Sequence, residues 1–523
     1  YDCNTWEKQV TMLNKYIYHL NKKRKIFMKY RSTRGAKDNA LTSPAAIIQG
    51  LAQDGGLYVP VDFPKANFQL KDLPKLSYKQ IAAMVISLFF DDFSKDQIKS
   101  AVINAYSEQW DDRSIVPIEK HNDNFYMELF HGPTLAFKDI ALQMLPQLMT
   151  RAVQIEKIDR DIIILTATSG DTGTASMRGF ANQKGTRVIV FYPEGGVSPV
   201  QLKQMLSQHG DNLEAIAIKG NFDDAQTEVK KIFNDENFRK KLNQNGFQFS
   251  SANSMNIGRL VPQISYYLYT YGQLVRRREI NLGDKVNFTV PTGNFGDILA
   301  GHYAEKLGLP INKLICASNE NNVLTDFFAK GEYDKRRKFH LTNAPAMDIL
   351  VSSNLERLLF DLYDKDNEKI ASLMNQLTQR GHYQVDKEVL DKLQTIFAAG
   401  FATEDEVKEE IHRVYNYDRY VIDPHTAVGS YVAQQYKSKT NDQTPMVIVS
   451  TASPYKFPET VYEAITGRVC PQTGVAAIKK LHDELGGQLS IGVRTLFDHE
   501  PHVEKVIDPA NMEAAISSIL DLK

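Results

Sequence analysis

The sequence predicts an α/β protein with two doubly wound parallel sheet domains, a helical N-terminal layer and a helical insertion. Three observations lead to this prediction: short continuous apolar runs, helical segments between them, and a length of 523 residues, which allows roughly two to four domains. Uninterrupted apolar runs are typical of parallel strands that helices cover on both faces. The alternation of strand and helix is the pattern of a doubly wound sheet.

The N-terminal part, residues 28–110, is expected to be mostly helical. Ser43-Pro44 offers an N-cap followed by a proline at the first helical position. Apolar residues at helical spacing predict further helices over Ser77–Phe90 and Ser94–Tyr106. A short strand, Leu57–Pro60, is expected between the helix near Ser43 and these two helices.

Two groups of strand-like runs follow. They are Asp161–Leu165, Thr186–Tyr192 and Leu213–Ile218 in the first group, and Val286–Val290, Lys313–Ala317 and Met446–Val449 in the second. We therefore assign residues 161–260 to a small sheet domain and 261–523 to a large one. Residues 111–160 are interpreted as a segment of the large domain that carries a notable lysine. The charged, helical stretch at about 320–415 is interpreted as an insertion packed on the sheet.

The composition excludes several classes of protein. Lys and Arg number 62 against 63 Asp and Glu, and this balance argues against a nucleic-acid-binding or membrane-surface protein. Cys3, Cys316 and Cys470 are few and far apart, so neither a disulfide framework nor a metal site is expected. The apolar run Ile81–Phe90 has about half the length of a membrane span. We therefore expect a cytoplasmic protein that binds neither nucleic acid nor membrane.

The stretch FHGPTLAFKD, from Phe130 to Asp139, places Lys138 between a turn and a buried helix. A helix N-terminus carries partial positive charge, which lowers the pKa of a nearby lysine. A lysine that loses its proton near neutral pH suits Schiff-base chemistry. Taken alone, however, the stretch favours a simpler interpretation, a solvated lysine in front of a helix.

Three turns rich in Gly, Ser and Thr each follow a strand. Thr166–Thr174 could bind an anion at a helix N-terminus, or merely cap the helix through Asp171 or Thr172. Pro291–Asp297 contains two glycines that allow an anion nest, but it matches neither a P-loop nor the dinucleotide fingerprint. Ser450–Phe457 could offer a hydroxyl to a ring nitrogen, or be an ordinary turn. Because ligands bind at the carboxyl ends of parallel strands, all three turns could meet in one crevice.

A lysine, a phosphate nest and a strand-end hydroxyl are the parts that a pyridoxal phosphate site needs. In chain order, FHGPTLAFKD, TSGDTG, NSMNIGR, PTGNFGD and STASPYKF resemble the threonine synthase family of fold-type II pyridoxal phosphate enzymes. The lysine motif is the most specific, since SGDTG-like turns also occur in related lyases such as cysteine synthase. The likeness covers nearly everything after Met28. Residues 1–27 have no counterpart in it, and we expect them to be a dispensable extension.

The resemblance implies that Lys138 forms a Schiff base with pyridoxal 5'-phosphate and that Thr451 faces the pyridine nitrogen. Family members convert O-phospho-L-homoserine and water to L-threonine and phosphate. The implied cofactor residues are Lys138, Gly293, Asn294, Phe295, Gly296, Asp297 and Thr451. The expected substrate residues are Thr168, Ser169, Gly170, Asp171, Thr172, Asn253, Ser254, Asn256, Arg259 and Lys456.

The substrate phosphate needs a cationic cradle separate from that of the cofactor. Arg259 suits this role because a guanidinium binds phosphate through two donors, and Lys456 is a further cation. A surface arginine on the helix Leu260–Tyr271 is the alternative for Arg259. His131 and His425 could contact substrate, but core histidines with satisfied hydrogen bonds are the default interpretation.

Two other functions remain open from the sequence. A phospholyase on the same fold would release phosphate and a 2-oxo acid, and it would differ only in how water is held at Cβ. A non-catalytic protein that kept the fold is disfavoured because Lys138 and its neighbourhood are present. The expected partner is a small-molecule substrate, and the expected state is a monomer or homodimer.

Overall fold

The structure, a computed structural model, describes residues 27–498 and 500–522. Residues 1–26, nearly all of the expected extension, lie outside this description. Two sheets of mainly parallel strands organise the chain, and the predicted α/β fold class is confirmed. Within the described ranges, no helix is long and apolar enough to cross a membrane.

The N-terminal layer contains a small antiparallel sheet as well as helices. Its strands are Lys29–Ser32, Leu41–Thr42 and Tyr58–Pro60, and its helices are Ser43–Gln49, Tyr78–Phe89 and Lys95–Ala105. Ser77 and Ser94 begin the last two helices with capping boxes, in which each serine and a glutamine three residues later bond each other's backbone. The expectation of a mostly helical layer missed two of the strands, because two to four residues are too few to show an alternating pattern.

Five parallel strands form what we call the small sheet. In spatial order they are Val506–Ile507, Leu213–Ile218, Thr186–Pro193, Asp161–Ala167 and Phe247–Ser250. Its helices are Asp171–Phe180, Pro199–Leu206, Phe222–Asn234, Glu236–Gln244 and Met512–Ile519. The expected division placed residues 261–523 in the large domain, whereas the strand Val506–Ile507 returns to this sheet. A strand of two residues carries no sequence pattern of its own, and its pairing with Leu213–Ile218 decides where it lies.

Six strands form the large sheet. In spatial order they are Phe397–Phe401, Ile311–Ser318, Val286–Pro291, Met446–Ser450, Asn124–Glu128 and Ile118–His121, and only the last pair is antiparallel. The helices of this half are Lys138–Ile155, Ile257–Arg276, Gly296–Lys306, Val323–Lys330, Leu355–Leu362, Asn367–Arg380, Lys387–Ile396, Glu404–Asp418, Pro424–Thr440, Pro458–Thr466, Gly474–Leu485 and Ile491–Asp498. The segment expected as a helical insertion also supplies the edge strand Phe397–Phe401 and a ribbon of Glu332–Asp334 with His382–Gln384.

The helix Lys138–Ile155, here called the lysine helix, links the two halves. It packs against Asp171–Phe180 from the small sheet and against Ile257–Arg276 from the large one. The contact with the first of these is close at Gly179, where an added Cβ would overlap the backbone carbonyl of Leu142. A backbone atom cannot rotate away as a side chain can, so glycine is required there.

We expect Gly179→Ala to lower the free energy of unfolding by about 1–3 kcal/mol, the usual cost of overpacking a close contact. Denaturant unfolding of the variant measures this. Arg178→Ala is the matched control, because Arg178 is exposed on the same helix. Equal stability of the two variants would show that the helices can separate without cost.

Candidate active site

A cleft of about 1250 Å³, including its open mouth, lies where the carboxyl ends of strands from both sheets meet. Thirteen of the expected site residues line it: Lys138, Thr168, Ser169, Thr172, Asn253, Ser254, Arg259, Gly293, Asn294, Phe295, Gly296, Asp297 and Thr451. Four expected residues, Gly170, Asp171, Asn256 and Lys456, are not among the residues that line this cleft. The three turns identified in the sequence therefore converge on one cleft, but some of the expected residues do not line it.

Lys138 is the first residue of the lysine helix. The turn before it forms a short bridge with the end of the strand Met446–Ser450: Phe137 N–H donates to the Thr451 carbonyl (2.8 Å), and Ser453 N–H donates to the Leu135 carbonyl (3.0 Å). These two backbone bonds fix the position of Lys138 relative to Thr451. Two motifs that lie more than 300 residues apart thus share one rigid corner.

Lys138 is not the solvated lysine of the simpler interpretation, since its side chain is only 13% exposed. Burial lowers the pKa of its amino group to about 8, because an ammonium loses hydration there. The carboxylate of Asp171, 3.7 Å away, acts in the opposite direction, while the positive charges of Arg259 and Lys456 add to the lowering. A substantial fraction of Lys138 is therefore neutral and nucleophilic slightly above neutral pH.

The loop Gly293–Gly296 leads from a strand of the large sheet into the helix Gly296–Lys306. Phe295 has a left-handed backbone (φ +63°) and is buried against Phe328 and Phe397. In the described part of the chain, no hydrogen bond uses the N–H groups of Asn294, Phe295 or Gly296. Free N–H groups at a helix N-terminus form an anion site, so the loop fits the phosphate of the cofactor that the resemblance implies.

Gly296 has open space beside it. A Cβ built there would find no protein atom closer than 3.7 Å, the distance to Asn354 Nδ2. Gly293 is different, because a Cβ there would come within 2.7 Å of the Ala346 carbonyl oxygen. Gly293 therefore permits a close backbone approach, and Gly296 leaves room for a ligand.

The side chain of Asp297 contributes less to an anion site than its place in the loop suggests. Its Oδ1 accepts hydrogen bonds of 2.7 Å from both Tyr266 and Tyr267, and burial raises its pKa to about 6 despite these bonds. A carboxyl group is a poor partner for a phosphate. Its backbone N–H in the first helical turn is the group that can serve an anion.

Arg259 also lines the cleft and is buried, at 3% exposure. Its Nη1 donates to the Ala252 carbonyl (2.9 Å), while its Nε is buried without a partner among the described residues. The neighbouring Asn253 also has a buried, unbonded Oδ1. Burial lowers the pKa of Arg259 to about 10, so the group remains cationic, and the surface-arginine alternative is excluded. A buried cation without a carboxylate favours an anionic ligand.

Two expected substrate residues serve the fold instead. Asn256 caps the helix Ile257–Arg276: its Oδ1 accepts from Gly258 N–H (2.8 Å), and its Nδ2 donates to the carbonyls of Ile47 and Ser251. Lys456 is fully buried, with Nζ 2.8 Å from Asp171 Oδ1 and 2.6 Å from the Thr134 carbonyl. Their assignment to substrate was wrong, because their polar atoms are engaged away from the cleft.

The turn after the strand Asp161–Ala167 also differs from its prediction. Neither Asp171 nor Thr172 caps the helix; the hydroxyl of Thr168 does so, by accepting from the N–H groups of Gly170 and Gly173. Gly170 has φ +137°, a conformation that favours glycine. Thr168, Ser169 and Thr172 still line the cleft.

The turn Pro345–Met347, which covers the loop at Gly293, was not predicted from the sequence. His425 supports this turn by accepting from Ala346 N–H (3.2 Å) through Nε2, while its Nδ1 lies 2.6 Å from Asp423. Both ring nitrogens of His425 therefore have partners within the protein, as those of a core histidine would, but the residue also lines the cleft. The helix Phe222–Asn234 was missed too; it lines the cleft with Phe222, Gln226 and Lys230. Nothing in the local sequence of either segment marks it as part of a site.

His131 does not line the cleft. Its ring nitrogens lie 2.6 Å from Asp111 and 2.7 Å from Glu128. Burial opposes its protonation, but these two carboxylates outweigh it and raise the pKa of His131 to about 9. His131 is a charged bridge between Asp111 and Glu128, in the turn that leads to Lys138.

Three family models match the chain. Residues 29–106 match "Threonine synthase N terminus", residues 119–452 match "Pyridoxal-phosphate dependent enzyme", and residues 426–515 match "Threonine synthase, C-terminal". The first match covers most of the N-terminal layer, and the second covers strands of both sheets that form the cleft.

Curated relatives and solved structures agree with these matches. The chain is 40% identical to threonine synthase-like 1 of Homo sapiens over 432 residues, which cover 80% of this chain and 57% of that protein. It is 37% identical to threonine synthase of Saccharomyces cerevisiae over 467 residues, covering 84% of this chain and 89% of the yeast protein. The crystal structure of pyridoxal phosphate-bound threonine synthase from Brucella melitensis superposes with a TM-score of 0.82 at 35% identity, covering 94% of this chain and 99% of that one.

The chain thus spans just over half the length of the human relative and nearly all of the yeast one. Its fold is that of the Brucella melitensis threonine synthase, which it matches along nearly the whole length of that chain. The chain belongs to the threonine synthase family of pyridoxal-phosphate dependent enzymes.

Proposed function

We propose that this protein is a threonine synthase, which converts O-phospho-L-homoserine and water to L-threonine and phosphate. One observation carries the proposal: a buried lysine of lowered pKa lines the same cleft as a loop with backbone N–H groups that are unbonded among the described residues and a buried arginine. A cofactor phosphate and a substrate phosphate need two anion sites. The Gly293–Gly296 loop suits the first, and Arg259 with Asn253 and Ser254 suits the second.

In this proposal the backbone N–H groups of the Gly293–Gly296 loop would hold the cofactor phosphate, and Lys138 would hold the cofactor covalently. Thr451 would place its neutral hydroxyl beside the pyridine nitrogen. When bound, pyridoxal phosphate accepts the electron pairs that remain when protons leave Cα and Cβ of an amino acid.

The remaining roles belong to side chains of the cleft. The neutral amino group of Lys138 takes the proton from substrate Cα, since it lies where the cofactor bond would form. Ser169 and Thr172 would receive the substrate carboxylate at the start of the helix Asp171–Phe180. Arg259 holds the γ-phosphate and stabilises it as it leaves. The partners are thus small molecules. We propose a cytoplasmic location, in keeping with the widely spaced cysteines, and a monomer or homodimer as the state of assembly.

Product identification tests this function. The purified protein with pyridoxal phosphate and O-phospho-L-homoserine should form threonine and phosphate in equal amounts, measured by chromatography and a phosphate assay. Phosphate accompanied by a 2-oxo acid would instead establish the phospholyase. No phosphate release from this substrate would contradict both functions.

We expect Gly296→Val to weaken pyridoxal phosphate binding at least about tenfold, because the valine side chain would fill the open space where the phosphate binds. Spectroscopic titration measures the affinity. Pyridoxal without phosphate is the control ligand, and its reaction with Lys138 should stay unchanged. Gly296→Ala should give a smaller loss. Unchanged affinity for pyridoxal phosphate in a folded valine variant would assign the loop another role.

A further inference from the structure

Lys456 is a fully buried cation near the cleft. It is 0% exposed and contacts no part of the cleft surface, so it cannot bind substrate directly. Its Nζ lies 2.8 Å from Asp171 Oδ1 and donates to the Thr134 carbonyl at 2.6 Å. Lys456 follows the strand Met446–Ser450 of the large sheet. Thr134 belongs to the turn before Lys138, and Asp171 begins a helix of the small sheet. One ammonium group therefore joins three segments that are distant in sequence.

The carboxylate of Asp171 is shared between two lysines. Its Oδ2 lies 3.7 Å from Lys138 Nζ, and its Oδ1 contacts Lys456 Nζ and accepts from Gln201 Nε2 at 2.7 Å. Burial opposes the charge on this carboxyl group, yet Lys456 and Lys138 hold its pKa well below the usual range. Asp171 is thus a permanent anion with more positive than negative charge around it.

We propose that Lys456 is a positioning residue for Lys138: it holds Asp171 as the shared anion and so governs how readily Lys138 gives up its proton. The proposal rests on the proposed role of Lys138 as the reactive lysine. Coulomb energies add, so the carboxylate of Asp171 favours the ammonium form of Lys138 while the ammonium group of Lys456 disfavours it. Lys456 also holds the Asp171 carboxylate in place, with Nζ 2.8 Å from Oδ1.

Two other charged groups, Arg259 and Asp139, act on the groups in this comparison. Arg259 lines the same cleft and disfavours the charged form of Lys138. Asp139 is buried near Lys456 and Asp171, and its carboxyl group accepts two hydrogen bonds from Thr134. Neither residue contacts Asp171 in a hydrogen bond or ion pair among the described residues. A change at Lys456 should therefore reach Lys138 both through Asp171 and through the direct repulsion between the two ammonium groups.

The test is the pH at which Lys138 becomes reactive in the cofactor-free full chain. Competitive labelling with acetic anhydride, read on the Lys138 peptide by mass spectrometry, reports the neutral amine without requiring catalysis. In the unsubstituted chain the midpoint should lie near pH 8. In Lys456→Met it should rise by at least about one pH unit, so that labelling near neutral pH falls about tenfold. In Asp171→Asn it should move in the opposite direction, because two buried ammonium groups then face each other.

The double variant Lys456→Met with Asp171→Asn removes both charges and should return the midpoint toward pH 8. A folded Lys456→Met chain with an unchanged or lowered midpoint would overturn the proposal. If Lys456→Met alone fails to fold, a folded double variant supports the ion pair, since removing both buried charges is tolerated better than removing one. A double variant that also fails to fold would reduce Lys456 to a packing role and overturn the proposal.

This experiment separates the inference from the proposed function. Acetic anhydride reacts with any neutral amine, so the midpoints are measured whether or not the chain makes threonine. Failure of the proposed function would appear only in the product assay.

Discussion

Lys138→Ala should abolish turnover of O-phospho-L-homoserine, with a loss of at least about four orders of magnitude in kcat. The substitution removes both the covalent attachment of the cofactor and the amine that takes the Cα proton. Borohydride reduction of the pyridoxal phosphate-loaded chain, followed by mass spectrometry, should find the cofactor on the Lys138 peptide. The variant should lose both this adduct and the visible absorbance band of the bound cofactor.

Lys230→Ala is a suitable control, because Lys230 also lines the cleft but lies on the helix Phe222–Asn234. That variant should keep the reduced adduct at Lys138. A Lys138→Ala chain that still links the cofactor to the same peptide would show that Lys138 is not the Schiff-base residue.

Arg259→Ala should lower kcat/KM by about two to three orders of magnitude. Loss of one charged hydrogen-bonding partner costs roughly 2–4 kcal/mol of transition-state stabilisation. The physical reason is that Arg259 is a buried cation whose Nε has no partner among the described residues, so a substrate phosphate is the group that would use it. Arg259→Lys should recover part of the loss, since it restores charge without the two parallel donors. Steady-state kinetics at saturating cofactor measure both variants.

Cofactor affinity should hardly change in either Arg259 variant, because the Gly293–Gly296 loop is a separate site. Arg276→Ala is the matched control: Arg276 is exposed at the other end of the same helix and should have normal kinetics. Near-normal kcat/KM in Arg259→Ala, with an intact fold, would remove Arg259 from the substrate site.

The local sequence predicted the parts of the cleft that depend on neighbouring residues. Apolar runs such as Asp161–Leu165 marked the buried parallel strands, and each glycine-rich turn followed one of them. The helix start at Lys138 was predicted as well. These features follow from backbone periodicity and turn chemistry, which act over a few residues.

The sequence did not predict which polar side chains line the cleft. Asn256 and Lys456 stand in donor-rich stretches beside true cleft residues, yet one caps a helix and the other binds Asp171. The cap at Thr168 replaced the two expected candidates for the same reason. A buried polar group must find a partner, and the available partner is set by how distant segments pack.

The sequence by itself thus determined the fold class, the order of the glycine-rich turns and the position of Lys138 at a helix start. Only the tertiary structure decided that the turn Pro345–Met347 covers the Gly293 loop, that the strand Val506–Ile507 returns to the small sheet, and that Lys456 and Lys138 share one carboxylate. The physical reason is that short strands and buried ion pairs are stabilised by contacts between segments dozens to hundreds of residues apart. Such contacts leave no periodic or local pattern in the chain.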